Sequence, residues 1–397
     1  MSNIEFLTVI NYQGYIPQIE NLIARFQKEN HIPVEPHFIG WDTLWRELVN
    51  VGIYQRGADI MEVGTTWLES LVAMNALRPF TSTEIDHLGG KSAFLPATWR
   101  AASISGDSQI WGIPIRCDVR VIWYWKDMLE DAKVDAAIAF KNPQTTQNTL
   151  EKLKSVVPTP WLVTTALDDP NIIQSLATWI WAYKTDFVTP DCKKVLLMEP
   201  AALDALRAYF GLYRYMPKDT LDWKSDDLTN LFVERKAAAL FGGPWVLTDL
   251  RDRGIPKKEL ARIGIARTPG PPFVGGTVLT ARKQVRNVQQ GIELIRFLTK
   301  PDVQVEYCPP LGLLPTTHKA WETPSMQKDP FNQGIYQAFE NGRGLPAVPL
   351  WGMVEEKLKA GIYQIWKDLL QGSQKDVDKA IHAHLEPIVN RLNISIQ

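Results

Sequence analysis

The stretch ALFGGPW, residues 239–245, sets two glycines and a proline between a short apolar run and an indole. Glycine accepts positive φ and close backbone approach, while proline fixes its own φ and withholds an amide. A chain leaving a strand through Gly242-Gly243-Pro244 presents the side chain of Trp245 at a set place and angle. Indole is plentiful throughout: 15 Trp exceed the 11 Tyr and 8 Met, more than a core of this size obviously requires. Reactive spacing is sparse by contrast. No GxSxG, HExxH, P-loop or GxGxxG occurs, and the six histidines are scattered; His382 and His384, two apart on a helix, face different directions. Asp118 with Glu62 is a carboxylate pair that would cleave glycosidic bonds only at a defined separation. Tyr213 and Tyr215, a conceivable iron pair, diverge on a helix.

Lys+Arg 43 against Asp+Glu 44 gives a formal net charge of −1, which offers no field to draw in nucleic acid or anionic lipid. No run approaches the roughly 20 apolar residues that cross a bilayer. The opening MSNIEFLTVINYQG lacks a basic and then long apolar segment, so the expectation is a cytosolic chain or one whose leader has been removed. Cys117, Cys192 and Cys308 form no CxxC pair and read as small buried hydrophobes; neither a disulfide framework, a metal site nor a cofactor is expected.

The elements that must hold these groups alternate. IEFLTVI, IPVEPHFIG and ADIMEVG read as strands, and between them Ile16, Ile19, Leu22, Ile23 and Phe26, then Leu44, Trp45, Leu48 and Val49, recur at helical spacing. This is the pattern of a doubly wound α/β sheet. The run CDVRVIWYW is too continuous for a half-exposed strand and marks the place where the chain leaves one sheet for another. Residues 128–235 read mostly helical, strands return at KAAALF, RIGIART and GGTVLTA, and two amphipathic helices close the chain, one through Val354 to Leu369 and one through Val377 to Leu392. The length suggests roughly two to three domains.

Four segments in order carry a resemblance. They are RGADIMEVGTTWLESLVAMNALRPF, with Ala58 for a usual proline and Asn75 for a glycine; IWGIPIRCDVRVIWYWKDML, with Trp125 for asparagine; LFVERKAAALFGGPW, with Arg235 for glycine; and IARTPGPPFVGG through GLLPT. Together they resemble bacterial extracellular solute-binding protein family 1, the maltose-binding-protein-like carbohydrate receptors of ABC importers. The likeness covers nearly the whole chain; NPQTTQNTL departs from the family's helix start, with Thr146 where tryptophan is usual.

The resemblance implies an α/β fold of type II periplasmic-binding-protein character: two doubly wound lobes joined by hinge strands, 1–116 with 279–322 and 117–278 with 323–397, the second largely helical. It implies a monomeric, extracytoplasmic receptor, with or without a lipid anchor, that closes on a sugar between its lobes and delivers it to permease subunits. A pyranose has a rim of hydroxyls and apolar C–H faces, so aromatic plates with carboxylates and amides are the kit required. Trp245, with Gly243 beneath its turn, is then a stacking plate. Asp118 and Arg116 fall where relatives contact hydroxyls, with an Arg-Asp ion pair as the structural alternative. Tyr12 and Gln13 sit in the loop NYQGY. Trp41 and Asp42 end the second strand, where Asp42 reads better as the N-cap of the next helix than as a ligand acceptor. Glu62, Thr65 and Trp67 end the third strand, where Thr65 or Thr66 can cap instead. Gly275, Gly276 and Thr277 let a sugar approach backbone amides, and Trp351 opens a long helix near another stacking position. The competing readings are a ligand-responsive sensor subunit, a receptor for a polyamine using Asp118, Glu62, Asp168 and Asp169, and, least favoured, a glycosidase.

Overall fold

A computed structural model describes residues 3–10, 13–104, 106–191, 193–345 and 351–396. The strands are β1 (Ile4–Val9), β2 (Val34–Ile39), β3 (Ile60–Gly64), β4 (Leu77–Arg78), β5 (Ile113–Val119), β6 (Val121–Trp125), β7 (Trp161–Leu162), β8 (Ala239–Gly242), β9 (Ile263–Ala266), β10 (Val274–Arg282) and β11 (Leu314–Pro315). The chain divides into two compact units: Met1–Asp118 with Val274–Asn332 and Ala347–Gly352, and Val119–Phe273 with Gln333–Pro346 and Met353–Gln397. The sequence reading sets the first two crossings at 116/117 and 278/279. Here they fall at 118/119 and 273/274, since Cys117 pairs with Leu314 while Thr277 and Val278 pair with Gly64 and Val63. The third crossing is at 332/333 rather than 322/323.

The first unit holds a seven-stranded sheet in the order β11-β5-β10-β3-β1-β2, with β4 beside β10. β1 runs parallel to β2 and β3, and β10 returns antiparallel to β3. Both faces are covered, and the period-2 alternation of a strand shows in β1: Ile4 and Phe6 enter one apolar cluster, Leu7 and Val9 the other. Helix Ile16–Asn30 buries Ile19, Leu22, Ile23 and Phe26. Truncating a side chain as buried as Phe26 costs about 3–5 kcal/mol. Helix Trp41–Tyr54 buries Leu44, Leu48 and Val51, but its N-cap is the extended Gly40; Asp42 lies exposed inside the first turn and is not the cap. Gly64, likewise, precedes the short turn Thr65–Trp67 without any side-chain cap.

The apolar run of residues 117–125 is two strands rather than one, interrupted at Arg120, with β5 in the seven-stranded sheet and β6 in the other unit's sheet. That second sheet has the order β7-β8-β6-β9, with β6 antiparallel to β8 and β9. Its core is aromatic: Trp161 meets Trp179 edge-on at 6.2 Å, and Trp366 meets Tyr209 at 5.2 Å. Most of the surplus indole is therefore core. Trp99, Trp123, Trp125, Trp161, Trp179, Trp181, Trp321, Trp351 and Trp366 are buried, which leaves Trp41, Trp45, Trp67, Trp111, Trp223 and Trp245 half-buried. The closing amphipathic segment is two helices, Val377–His384 and Glu386–Ser395, because Pro387, in the first turn of the second, has no amide to donate back into the first.

Candidate functional site

In the first unit the C-terminal ends of β1 and β3 meet β5 and β10 around one carboxylate. Glu62 Oε2 accepts from Thr8 Oγ1 at 2.8 Å and from the Val9 amide at 3.1 Å. Its Oε1 accepts from Arg116 Nε at 2.6 Å and from Thr277 Oγ1, and Arg116 Nη2 donates to the Val9 carbonyl at 2.8 Å. Glu62 is 0%, Thr277 1% and Arg116 2% exposed. Burial alone would draw the guanidinium's pKa down, but the charge of Glu62 and the hydrogen bond to it, with Tyr307 and Cys308 alongside, together outweigh it and the net direction is up. Such a pair is held by mutual satisfaction, and removing one partner costs about 3–5 kcal/mol. Glu62, Arg116 and Thr277 thus spend their polar groups on joining four strands.

Arg116 pairs with Glu62, and Asp118 Oδ1 accepts from the Gly275 amide at 3.1 Å. Gly276 has φ +127°, and a Cβ there would collide with the Arg116 carbonyl and lie 2.6 Å from Cys117 Cα. Its missing side chain makes room for the neighbouring strand, a requirement of the fold. Cys117 and Cys308 are buried thiols.

Around the ends of β2 and β3, Trp67 gathers two partners: Trp41 at 6.0 Å and Trp45 at 5.4 Å. All three rings are half-buried, as is Thr65. Trp45 is absent from the sequence-derived set because its spacing reads as helix core. Gln13 is exposed in the turn Gln13–Tyr15, and Tyr12 lies outside the described residues. Trp351 is fully buried at the start of helix Trp351–Gln371, so no ring face of it is open to solvent.

In the second unit β8 ends at Gly242, and Pro244 precedes the helix Trp245–Asp252. A Cβ on Gly243 would lie 2.6 Å from Trp245 Cε3, so only glycine lets the indole fold back over the turn. Gly243 is thereby a support for the ring. Trp245 is half-buried, and Arg120 Cζ stands 4.7 Å from its ring centroid. The indole nitrogen is covered and has no hydrogen-bond acceptor among the described residues, so this side chain offers ring carbon rather than a donor. Beside it, Arg120, Thr164, Asn171, Ser225 and Trp245 line a recess of ≈ 10 Å³, about the space of one water. Arg120 and Asn171 were not legible as site residues, since a lone Arg in an apolar run and an Asn after a proline carry no spacing signal.

A family model described as bacterial extracellular solute-binding protein matches residues 21–333. This chain belongs to that family. Among relatives of this solute-binding protein, a Brucella abortus binding protein is 23% identical over 365 residues, covering 87% of this chain and 84% of that one. The maltodextrin-binding protein MdxE of Bacillus subtilis is 21% identical over 379 residues, covering 86% and 81%. The sugar-binding protein MalE of Xanthomonas citri shares the fold with a TM-score of 0.83 at 19% identity, over 100% of this chain and 97% of that one. The α/β periplasmic-binding-protein fold expected from the sequence is the one observed, and the family is one of binding proteins with an extracytoplasmic place of work. No helix among the described residues is long and apolar enough to cross a membrane.

Proposed function

We propose that this solute-binding protein is the substrate receptor of an ABC importer for a sugar or oligosaccharide, which it takes up with groups from both units, closes upon by hinge motion and hands to permease subunits as a monomer. The observation that carries the reading is Trp245: a half-buried indole fixed from below by Gly243 and backed by Arg120, with its nitrogen covered. A rigid carbon plate of this kind suits the apolar face of a pyranose, and aromatic contacts contribute about 0.5–1.5 kcal/mol beyond area burial. Asp118, carried by β5 and oriented by the Gly275 amide, is the acceptor proposed for hydroxyls. Trp41 and Trp67 are further plates, with Gln13 and Thr65 as polar neighbours. Glu62, Arg116, Thr277 and Gly276 act beneath this surface by fixing the strand ends.

The polyamine reading keeps Asp118 but finds its other three acids already engaged. Glu62 is neutralised by Arg116, Asp168 pairs with Lys224 at 2.8 Å, and Asp169 accepts from Thr164, Asn171 and Ser225. Hydrolysis by Glu62 with Asp118 loses its first carboxylate in the same way.

A thermal-shift panel of maltose, maltotriose, mannitol and spermidine tests the proposal, since a ligand of the folded state raises Tm by mass action. A rise with a saccharide supports it. A rise with spermidine alone, or release of product from a chromogenic glycoside, contradicts it.

A further inference from the structure

We propose that Arg120 is the positioning residue of the Trp245 plate, fixing the indole in the orientation that receives ligand; this deepens the sugar-receptor reading and rests on it. Arg120 occupies the break between β5 and β6 and is 2% exposed. Its guanidinium lies between two rings, with Cζ 4.7 Å from the centroid of Trp245 and 5.0 Å from that of Phe273. A planar, weakly hydrated cation is suited to such a slot, and ring quadrupoles attract it there. The Arg120 backbone is fixed as well, its amide donating to the Phe273 carbonyl at 2.9 Å.

The far end of the guanidinium is anchored by amides. Arg120 Nη2 donates to Asn171 Oδ1 at 2.5 Å and to Gln174 Oε1. Asn171 can offer its oxygen because its other end is committed: Nδ2 donates to Asp169 Oδ1 at 2.8 Å, and its backbone amide donates to the same oxygen at 2.9 Å. Asp169 Oδ2 in turn accepts from Ser225 Oγ at 3.0 Å and Thr164 Oγ1 at 3.2 Å. A continuous set of contacts therefore runs from a satisfied carboxylate through one amide and one guanidinium to the indole. It assigns Arg120 one face of the ring and leaves stacking to the rest.

The test uses the full chain labelled with 5-fluorotryptophan, the Trp245 ¹⁹F resonance being the one lost in Trp245→Phe. Arg120→Met is expected to shift and broaden that resonance through ring mobility, and to raise the Kd for maltotriose about tenfold by calorimetry. Arg120→Lys, with charge but no planar fork, is expected to restore affinity only in part. Removing the cation could by itself move a neighbouring resonance, so Asn171→Ala is the decisive companion: it keeps Arg120 and removes the anchor tied to Asp169, leaving Gln174 in place, and the Trp245 resonance is again expected to broaden. An unchanged Trp245 line in Asn171→Ala, with unchanged affinity in Arg120→Lys, overturns the proposal. If Arg120→Met does not fold, those two variants decide. A broadened line in a protein that binds no saccharide upholds the positioning role and sinks the sugar reading instead.

Discussion

The guanidinium of Arg235 lies 4.2 Å from the ring centroid of Trp125, and these are two positions at which the sequence leaves the family pattern. Arg235 stands where the resemblance leads one to expect glycine and has the left-handed backbone a glycine would adopt, with φ +58°. Its Nη2 also pairs with Asp127 at 2.6 Å, and Arg262 pairs with the same carboxylate. Burial acts to raise the Asp127 pKa, but the two arginines outweigh it and hold it below the usual range. Trp125 and Arg235 thus support one another: an arginine in left-handed backbone is held by the indole and by Asp127.

That relationship predicts an order of stabilities. Arg235→Ala keeps the positive φ and loses the stacking and the ion pair, whereas Arg235→Gly loses the contacts but sheds about 1–2 kcal/mol of left-handed strain, offset in part by the freer unfolded chain. Urea unfolding is expected to rank wild type above Arg235→Gly, and Arg235→Gly above Arg235→Ala. Equal losses in the two variants would show that the strain is not felt.

Gly276 and Gly254 separate backbone strain from collision. Both have positive φ, +127° and +67°, but a Cβ on Gly254 meets nothing within 4 Å, while one on Gly276 strikes the Arg116 carbonyl. Gly254→Ala is expected to cost about 1 kcal/mol. Gly276→Ala, which must also part β10 from β5, is expected to cost about 3 kcal/mol or more. Similar midpoints for the two in urea would contradict the close strand approach.

Glu69 predicts a pH dependence near neutrality. It sits in the first turn of helix Leu68–Ala73, where an anion is favoured by the helix dipole, yet burial raises its pKa from 4.5 to about 7. Its Oε2 is covered and has no hydrogen-bond partner among the described residues. A raised acid binds its proton more tightly in the folded state. Its stabilising contribution is therefore complete below pH 4.5 and is lost as pH rises towards 7. Glu69→Gln should raise Tm at pH 8, leave it little changed at pH 4.5, and flatten the difference between them. A wild-type excess in Tm at pH 8 would contradict the assignment.

Much of the fold was legible because its signals are local. The alternation of β1 and the helical spacing of Ile19, Leu22, Ile23 and Phe26 gave the layers, and the glycines expected at 75 and 235 mark left-handed backbone even though Asn75 and Arg235 occupy it. What sequence could not supply were the long-range consequences. The meeting of Glu62 with Arg116 brings β3 to β5, and the collision that reserves Gly276 for glycine needs two strands in place. Asp42 has the right residue type for a cap, but Gly40 already has the extended backbone of the N-cap. Trp245 was legible from its turn, whereas its backing by Arg120 was not, because nothing in an apolar run tells which way one arginine turns.

Calorimetric titration of wild type and Trp245→Ala, with the saccharide that gives the largest thermal shift, tests the central claim most directly. Trp245→Ala is expected to raise Kd well over tenfold, about 1.4 kcal/mol or more, while its urea midpoint stays near that of wild type. Equal affinity in the two proteins would contradict the assignment of this indole as the plate on which the ligand rests.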